Sequence, residues 1–399
     1  MTKRLYYSEP YVTEFVARMI SCEKDGDKFR AVLDKTFFYP ESGGQPNDTG
    51  SIGGCKVIDV QIDDGIVYHT VDREICGDEV RCSIDRERRV DHMQQHTGQH
   101  ILSQAIYGIF GKDSESLHMG RKISSIDIPI AELTKKDLML IEKRANEVVF
   151  ADVPVKTYFV DSTEGLGLRK ETDLDSGIRI VEIGDYDRTP CGGTHLSSTG
   201  QVGLIKIARH YKKGKYTRIE FICGGRCLEK MQEQGETILG ISNHLMVPQD
   251  SILERVKELD DAKRVLETKI EELGERLSVM TFGSLIENSA SIGGVTVVKD
   301  VINDPKMAQF ISKSTQARDS TVSLLAFNTS KGATMMFSCS KDCDIDIGKI
   351  LSESVSIVSG RGGGGKSFAS GSCNDVSRLD EALDHAFGMV RETLDAAEK

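Results

Sequence analysis

No apolar run in this chain approaches the ~20 residues that a membrane-spanning helix needs. The N-terminal stretch, Met1-Thr2-Lys3-Arg4-Leu5-Tyr6-Tyr7, lacks the apolar core of a secretory signal. A cytoplasmic location is therefore expected, with the ten cysteines as reduced thiols available as ligands. Net positive charge is also missing. The formal balance is −11, which argues against indiscriminate binding to nucleic acid, because neutralising phosphates takes clustered Lys and Arg. A local cluster can still override the total. Residues 206–218 hold Lys206, Arg209, Lys212, Lys213, Lys215 and Arg218 with no acidic residue between them, and Tyr211 and Tyr216 could stack on bases. A solvated basic turn and a phosphate-facing edge are equally compatible with that run.

What is present is organised around Gln95-His96-Thr97-Gly98-Gln99-His100. The surrounding residues, 86–110, have the pattern of a helix, and positions i and i+4 of a helix share one face. His96 and His100 can therefore serve one metal ion. Further along, Cys191-Gly192-Gly193-Thr194-His195 supplies a second pair with half-site spacing. Three imidazole nitrogens and one thiolate suit zinc in a tetrahedral site. A lone histidine is usually an ordinary core or surface residue, but four ligand-type residues in two tight clusters favour a metal centre.

The length, 399 residues, exceeds what one core supports, so two or three domains are expected. Residues 1–85 read as short strands separated by Asp, Gly and Asn turns, a small β-barrel or sandwich. Inside them, Phe37-Phe38-Tyr39-Pro40-Glu41-Ser42-Gly43-Gly44-Gln45-Pro46-Asn47-Asp48 is either a long hairpin loop or a segment whose glycines let backbone approach a partner. Residues 86–245 alternate helices and strands; Thr134 with Asp137 forms a capping-box variant, and residues 184–190 read as a loop that delivers Cys191. In residues 246–285, Ile252, Val256, Leu259, Lys263, Leu266, Ile270, Leu273, Leu277 and Met280 recur at intervals of four and three, the heptad spacing of a coiled-coil or helical-hairpin seam that pairs within the chain or between two chains. Residues 286–399 read as a compact α/β domain.

Gly360-Arg361-Gly362-Gly363-Gly364-Gly365-Lys366-Ser367 matches the phosphate-binding loop pattern of nucleotidases letter for letter. That chemistry needs a strand before the loop and a helix starting at the Lys. Here a helical period precedes it and a turn-rich segment follows, so ATP hydrolysis is rejected; residues 360–372 remain a glycine-rich loop that could offer backbone N–H groups, Arg361 and Lys366 to an RNA backbone. Cys223/Cys227 and Cys339/Cys343 each resemble half a metal site without a second half, and are read as buried or incidental thiols.

The two histidine and cysteine motifs, the stretch 38–50 and Arg218-Ile219-Glu220-Phe221 together resemble the editing domain of alanyl-tRNA synthetases, and more closely its free-standing relatives, the AlaX proteins, in their long form. The third unit is similar to the DHH-associated C-terminal domain. The resemblance implies an α+β fold made of an N-terminal β-barrel, a zinc editing domain, a coiled-coil linker and a C-terminal α/β domain for RNA binding or dimerisation. It implies a zinc-dependent hydrolase that removes chiefly serine, and secondarily glycine, from mischarged tRNA(Ala), with His96, His100, Cys191 and His195 as ligands. A glutamine used for editing in the synthetase falls near Glu115 or Ser116 here, and the free-standing form is expected to lack the aminoacylation domain that would precede this region in a synthetase. Thr97, Gln99, Ser116 and His118 are the candidates for a pocket that hydrogen-bonds the serine hydroxyl. Lys212, Lys213, Lys215, Arg218, Arg361 and Lys366 are the candidate RNA contacts, and a homodimer through the C-terminal part is expected. Two rival readings stay open: a tRNA-binding module with a structural zinc, which a closed set of four ligands would suit, and a synthetase fragment inactive by itself.

Overall fold

The computed structural model of the protein describes residues 1–174, 176–330 and 332–397. It is a mixed α+β structure with several sheets, divided into two compact units, Met1–Asn243 and His244–Lys399.

In the first unit six strands, Glu14–Asp25, Lys28–Leu33, Gly50–Ile52, Cys55–Asp63, Ile66–Val71 and Glu79–Ile84, pair antiparallel around a closed ring. The ring is uneven, since Gly50–Ile52 gives only three residues to each neighbour. Side chains alternate across a strand, so Val80, Cys82 and Ile84 point inward with Leu33, Val57, Val67 and Val71 to form one apolar core.

Helix α1, Arg86–Phe110, leaves the ring directly. Asp85 caps its first turn by accepting from the Arg88 N–H, and Gly111 closes it in the left-handed conformation at φ 63°. Helix α2, Lys135–Phe150, begins at Thr134 with the complete capping box to Asp137. Both pack on a four-stranded sheet ordered Ile205–Lys213, Tyr216–Cys223, Ser124–Ile128, Ser116–Met119, burying Ile101, Leu102, Ile106, Ile126, Ile141 and Phe221. A three-stranded sheet of Val155–Val160, Ile178–Ile183 and Asp187–Pro190 lies in the same unit. Asp187–Pro190, expected as loop, is a strand because it completes the ladder of Ile178–Ile183. Helix α3, Gly225–Leu245, is not expected from the sequence; Gly225, Gly235 and Gly240 depress its helix propensity by roughly 1 kcal/mol each.

The second unit opens with helix α4, Ile252–Glu287. Its heptad residues Val256, Leu259, Leu266, Ile270, Leu273 and Leu277 are all exposed, between 44% and 68%. A six-stranded sheet follows, ordered Ala290–Ile292, Val295–Ile302, Thr321–Thr329, Gly332–Cys339, Phe368–Cys373, Arg361–Gly364. Its one parallel pair, Val295–Ile302 with Thr321–Thr329, is bridged by helix α5, Pro305–Ala317, packed on one face. Helices α6, Ile347–Ile357, and α7, Leu379–Ala397, cover the other.

Residues 360–372 correct one expectation. They are not a loop but a β-hairpin, Arg361–Gly364 against Phe368–Cys373. Glycine is needed there because a Cβ at Gly362 would lie 2.4 Å from the Cα of Gly371. Lys366 and Ser367 fall in the hairpin turn with no helix after them, so the phosphate cradle is absent. Among the described residues no helix is long and apolar enough to cross a membrane.

Candidate metal centre

The four donors converge. The ligating atoms of His96, His100, Cys191 and His195 all lie within 4.8 Å of one another. Cys191 Sγ is 3.3 Å from both His96 Nε2 and His195 Nε2. Bond lengths of about 2.0 Å to nitrogen and about 2.3 Å to sulfur put tetrahedral zinc ligands roughly 3.5 Å apart. The set therefore fits one such ion.

Helix α1 brings two donors on one face, as the i, i+4 spacing requires. Its middle is buried on nearly every side, from His92 through Leu102, because the strand ring and the sheet press on it. Gly98 is set by that packing: a Cβ there would sit 2.3 Å from Cys223 Sγ. The other two donors ride on the turn after Asp187–Pro190. Arg179 Nη1 holds that turn by donating to the carbonyls of Cys191 and Gly193, each at 2.8 Å. Gly193 has no alternative, since a Cβ would fall 2.1 Å from His96 Cε1.

Each imidazole is oriented by its other nitrogen. His96 Nδ1 lies 2.8 Å from Gln45 Oε1, His195 Nδ1 is 3.2 Å from Thr97 Oγ1, and His100 Nδ1 is 3.3 Å from Asp187 Oδ2. A carbonyl or carboxylate oxygen only accepts, so the proton sits on Nδ1 of His96 and His100 and Nε2 faces the centre. Gln45 is itself fixed: Oε1 also accepts from Thr194 N at 3.1 Å, and Nε2 donates to Thr194 Oγ1 at 2.8 Å. The stretch 37–50 is thus more than a hairpin loop. Its Asp48 forms a fully buried ion pair with Arg89 of α1, and Arg89 also donates to Phe37 O and Pro10 O at 2.6 Å. Asp187 is anchored in the same way by Arg169, at 2.8 Å through Nε.

Charge follows from this packing. Burial pushes the Cys191 thiol up, but the nearby His96 and His195 rings and hydrogen bonds with His100 and His195 outweigh it, leaving the thiol well below its ordinary value. Burial raises Asp187 too, yet His100 and Arg169 bring it down to about 2. The thiolate is the form metal binding requires; burial lowers His100, but its hydrogen bonds with Asp187 and Cys191 raise it to about 9, so a bound metal must displace a proton from that ring.

A cavity of about 220 Å³ opens beside His96, His100 and Cys191. Of the expected pocket residues, Gln99 and Ser116 line it. Gln99 Nε2 donates to Ser103 Oγ at 2.8 Å, and Ser116 Oγ donates to Asp127 at 3.2 Å. Thr97 does not line it: fully buried, its hydroxyl serves His195 and the Leu196 N–H at 3.1 Å. His118 is exposed on the strand Ser116–Met119 and lies outside the lining. Arg169, Lys170 and Thr189 complete the wall. Arg169, Arg179 and Asp187 carry no motif, so nothing in the sequence marks them; each acts on a residue far from it along the chain.

The basic run is largely neutralised by carboxylates brought from elsewhere. Arg218 and Lys213 share Asp127, at 2.6 and 3.1 Å, Arg209 pairs with Glu220 at 2.8 Å, and Lys206 with Glu142 at 2.8 Å. Lys212 and Lys215 are exposed, with Lys215 5.1 Å from the Tyr216 ring. Arg361 and Lys366 are exposed in the hairpin of the second unit. Cys227 and Cys339 are buried against backbone carbonyls, as incidental thiols would be.

Comparison with known proteins adds an independent line. Residues 178–220 match the family of the threonyl and alanyl tRNA synthetase second additional domain, residues 6–88 match class II (A) tRNA synthetases, and residues 292–392 match the DHHA1 domain. The chain is 32% identical over 411 residues to the alanyl-tRNA editing protein AlaX-L of Pyrococcus horikoshii, covering 99% of this chain and all of that one (100%). It is 30% identical to the alanine–tRNA ligase of Pyrococcus abyssi over 96% of this chain but only 43% of the ligase. A crystal structure of the C-Ala domain of Aquifex aeolicus alanyl-tRNA synthetase aligns with 26% of this chain and 98% of that domain, at 16% identity and a TM-score of 0.25.

Proposed function

Because the chain belongs to the AlaX-L family of alanyl-tRNA editing proteins, we propose that it hydrolyses the ester of serine, and of glycine, mischarged on tRNA(Ala), with zinc held by His96, His100, Cys191 and His195. Alanyl-tRNA editing is the activity of the family; the amino acid removed and the metal's part in it are our reading. The observation that carries it is the pairing of a complete donor set with a polar cavity at its edge.

Bound zinc would supply a Lewis acid able to polarise an ester carbonyl or acidify a water. The chain's own residues do the rest. Gln45, Thr97 and Asp187 hold the three rings in one tautomer and one orientation. Gln99 and Ser116 offer the cavity the polar capacity left over from their bonds to Ser103 and Asp127, which a serine hydroxyl can meet and an alanine methyl cannot; a site that hydrogen-bonds a substrate hydroxyl discriminates by as much as ~10⁴. Of the charged groups at the cavity wall, Arg169 is paired with Asp113 and Asp187, and Lys170 sets a positive charge beside Glu115, available to a phosphate of an RNA terminus. Lys212, Lys215, Arg361 and Lys366 are further phosphate contacts in this reading. The ten unpaired thiols fit a reducing cytoplasm. A second copy of the chain covers the exposed heptad stripe of α4.

The test is deacylation of Ser-, Gly- and Ala-tRNA(Ala) by the zinc-loaded protein, with and without a chelator. Rapid loss of serine, slow loss of alanine and abolition by chelation are expected. No hydrolysis by folded, zinc-loaded protein would instead leave a tRNA-binding module with a structural metal.

A further inference from the structure

The centre is approached from a second side. Two adjoining hollows, of about 490 and 400 Å³, share Ser8 and Thr157 and form one trough. It runs from Lys3 and Arg4 past Phe159 and Tyr7 to Arg179 and His195. Its charged lining holds three cations, Lys3, Arg4 and Arg179, against one carboxylate, Glu9, in a chain whose net charge is −11.

The aromatic residues are arranged in sequence toward the metal donors. Phe159 is 58% exposed, and its ring meets Tyr7 edge-on at 5.8 Å. Tyr7 lies between two guanidinium groups, Arg4 at 5.6 Å and Arg179 at 5.1 Å from its centroid. Arg179 then touches the backbone of Cys191. Arg179 is 6% exposed and has no ion pair among the described residues, and its Nε is buried without a partner. The Nε itself is out of reach of the hollow, but a guanidinium in its wall with no carboxylate set against it leaves positive charge there for an anionic group.

We propose that this trough seats the single-stranded nucleotides that precede the ester-bearing terminus of the RNA, with a base on Phe159 and phosphates along Lys3, Arg4 and Arg179. Cations beside aromatic faces are what unpaired nucleic acid recognises, since every base has a stacking face. An acidic protein segment would use the cations but not the exposed ring. The proposal rests on the editing reading for why RNA comes here, and its test does not depend on hydrolysis.

The probe is a short fluorescent single-stranded RNA with the sequence of the tRNA 3′ end, followed by anisotropy with the zinc-loaded protein. Phe159→Ala should weaken binding by roughly 5- to 150-fold, the range for removing one base–aromatic stack. Lys3→Ala with Arg4→Ala should flatten the plot of log K against log salt by about 0.7 for each phosphate left without its cation. Lys135→Ala with Lys136→Ala, two exposed lysines in the first turn of α2, should leave this short probe's affinity unchanged. In deacylation the trough variants should raise KM and spare kcat. Unchanged RNA affinity in both trough variants overturns the proposal, as does equal binding of a duplex or displacement by polyglutamate as readily as by RNA. If the protein hydrolyses no ester yet binds the probe through Phe159, the editing reading fails and the trough stands.

Discussion

At the scale of single residues, the centre depends on atoms one step behind the donors. Gln45 Oε1 fixes the His96 ring at 2.8 Å and is in turn fixed by Thr194. Gln45→Ala should cost about 10–100-fold in zinc affinity, the usual effect of losing such a partner, read by competition with a chromophoric chelator. An unchanged affinity would mean that packing alone orients the ring. A different histidine contributes to the acid dependence of stability. His69 is fully buried in the strand ring, with Nδ1 facing Ala31 O at 3.2 Å and Nε2 facing Thr36 Oγ1 at 2.9 Å. Burial lowers it from 6.5 to about 4. The unfolded chain therefore takes up a proton that the folded one refuses, and stability falls as pH drops from about 6.5 to about 4. Each pKa unit is ~1.4 kcal/mol, so the loss amounts to about 3 kcal/mol. Urea denaturation of His69→Gln should show a shallower decline over that window than the parent; His92, shifted the same way by burial, keeps part of the slope.

At the scale of elements, the strand ring and helix α1 are joined by a loop and one ion pair. Asp48 and Arg89 are both inaccessible to solvent, and Arg89 has two further carbonyl acceptors. Removing one partner strands the other charge in the interior, which costs about 3–5 kcal/mol, whereas replacing both with apolar groups is often neutral. Arg89→Ala should thus lower both the unfolding free energy and metal occupancy. Arg89→Met combined with Asp48→Leu should recover most of the stability, measured by the denaturant midpoint. Failure to recover would show that the hydrogen bonds to Phe37 and Pro10, more than the charge, hold the loop on the helix. The hairpin Arg361–Gly364 with Phe368–Cys373 illustrates the opposite case, where glycines serve close packing: a Cβ at Gly348 of α6 would come within 2.8 Å of Gly364 O.

At the scale of the whole molecule, α4 presents an apolar stripe along most of its length. Leu266 and Ile270 are 62% and 68% exposed, and a continuous stripe of this kind marks an association surface. Its C-terminal end, at Phe282, Leu285 and Ile286, packs into a core among the described residues. Sedimentation at micromolar concentration should give a dimer. Truncation to residues 1–251 should give a monomer that keeps zinc and edits more weakly. A full-length monomer would refute second-copy coverage of the stripe. Much of this architecture was legible in the sequence: α1 over Arg86–Phe110, the Thr134 capping box, the strands Val155–Val160 and Ile178–Ile183, and the two halves of the donor set. These depend on neighbours within a few positions, through helical spacing, strand alternation and capping, so a single sequence carries them. Helix α3 escaped because its glycines speak against a helix that packing nonetheless forms. The partners of the donors, Gln45, Asp187 and Arg179, and the carboxylates that neutralise Lys206, Arg209, Lys213 and Arg218 were decided only by the tertiary structure. Most of those contacts join distant chain segments, and those across neighbouring strands, Arg209 with Glu220 and Arg179 with Cys191, depend on a register the sequence does not mark; a hydrogen bond of about 3 Å leaves no period in a sequence.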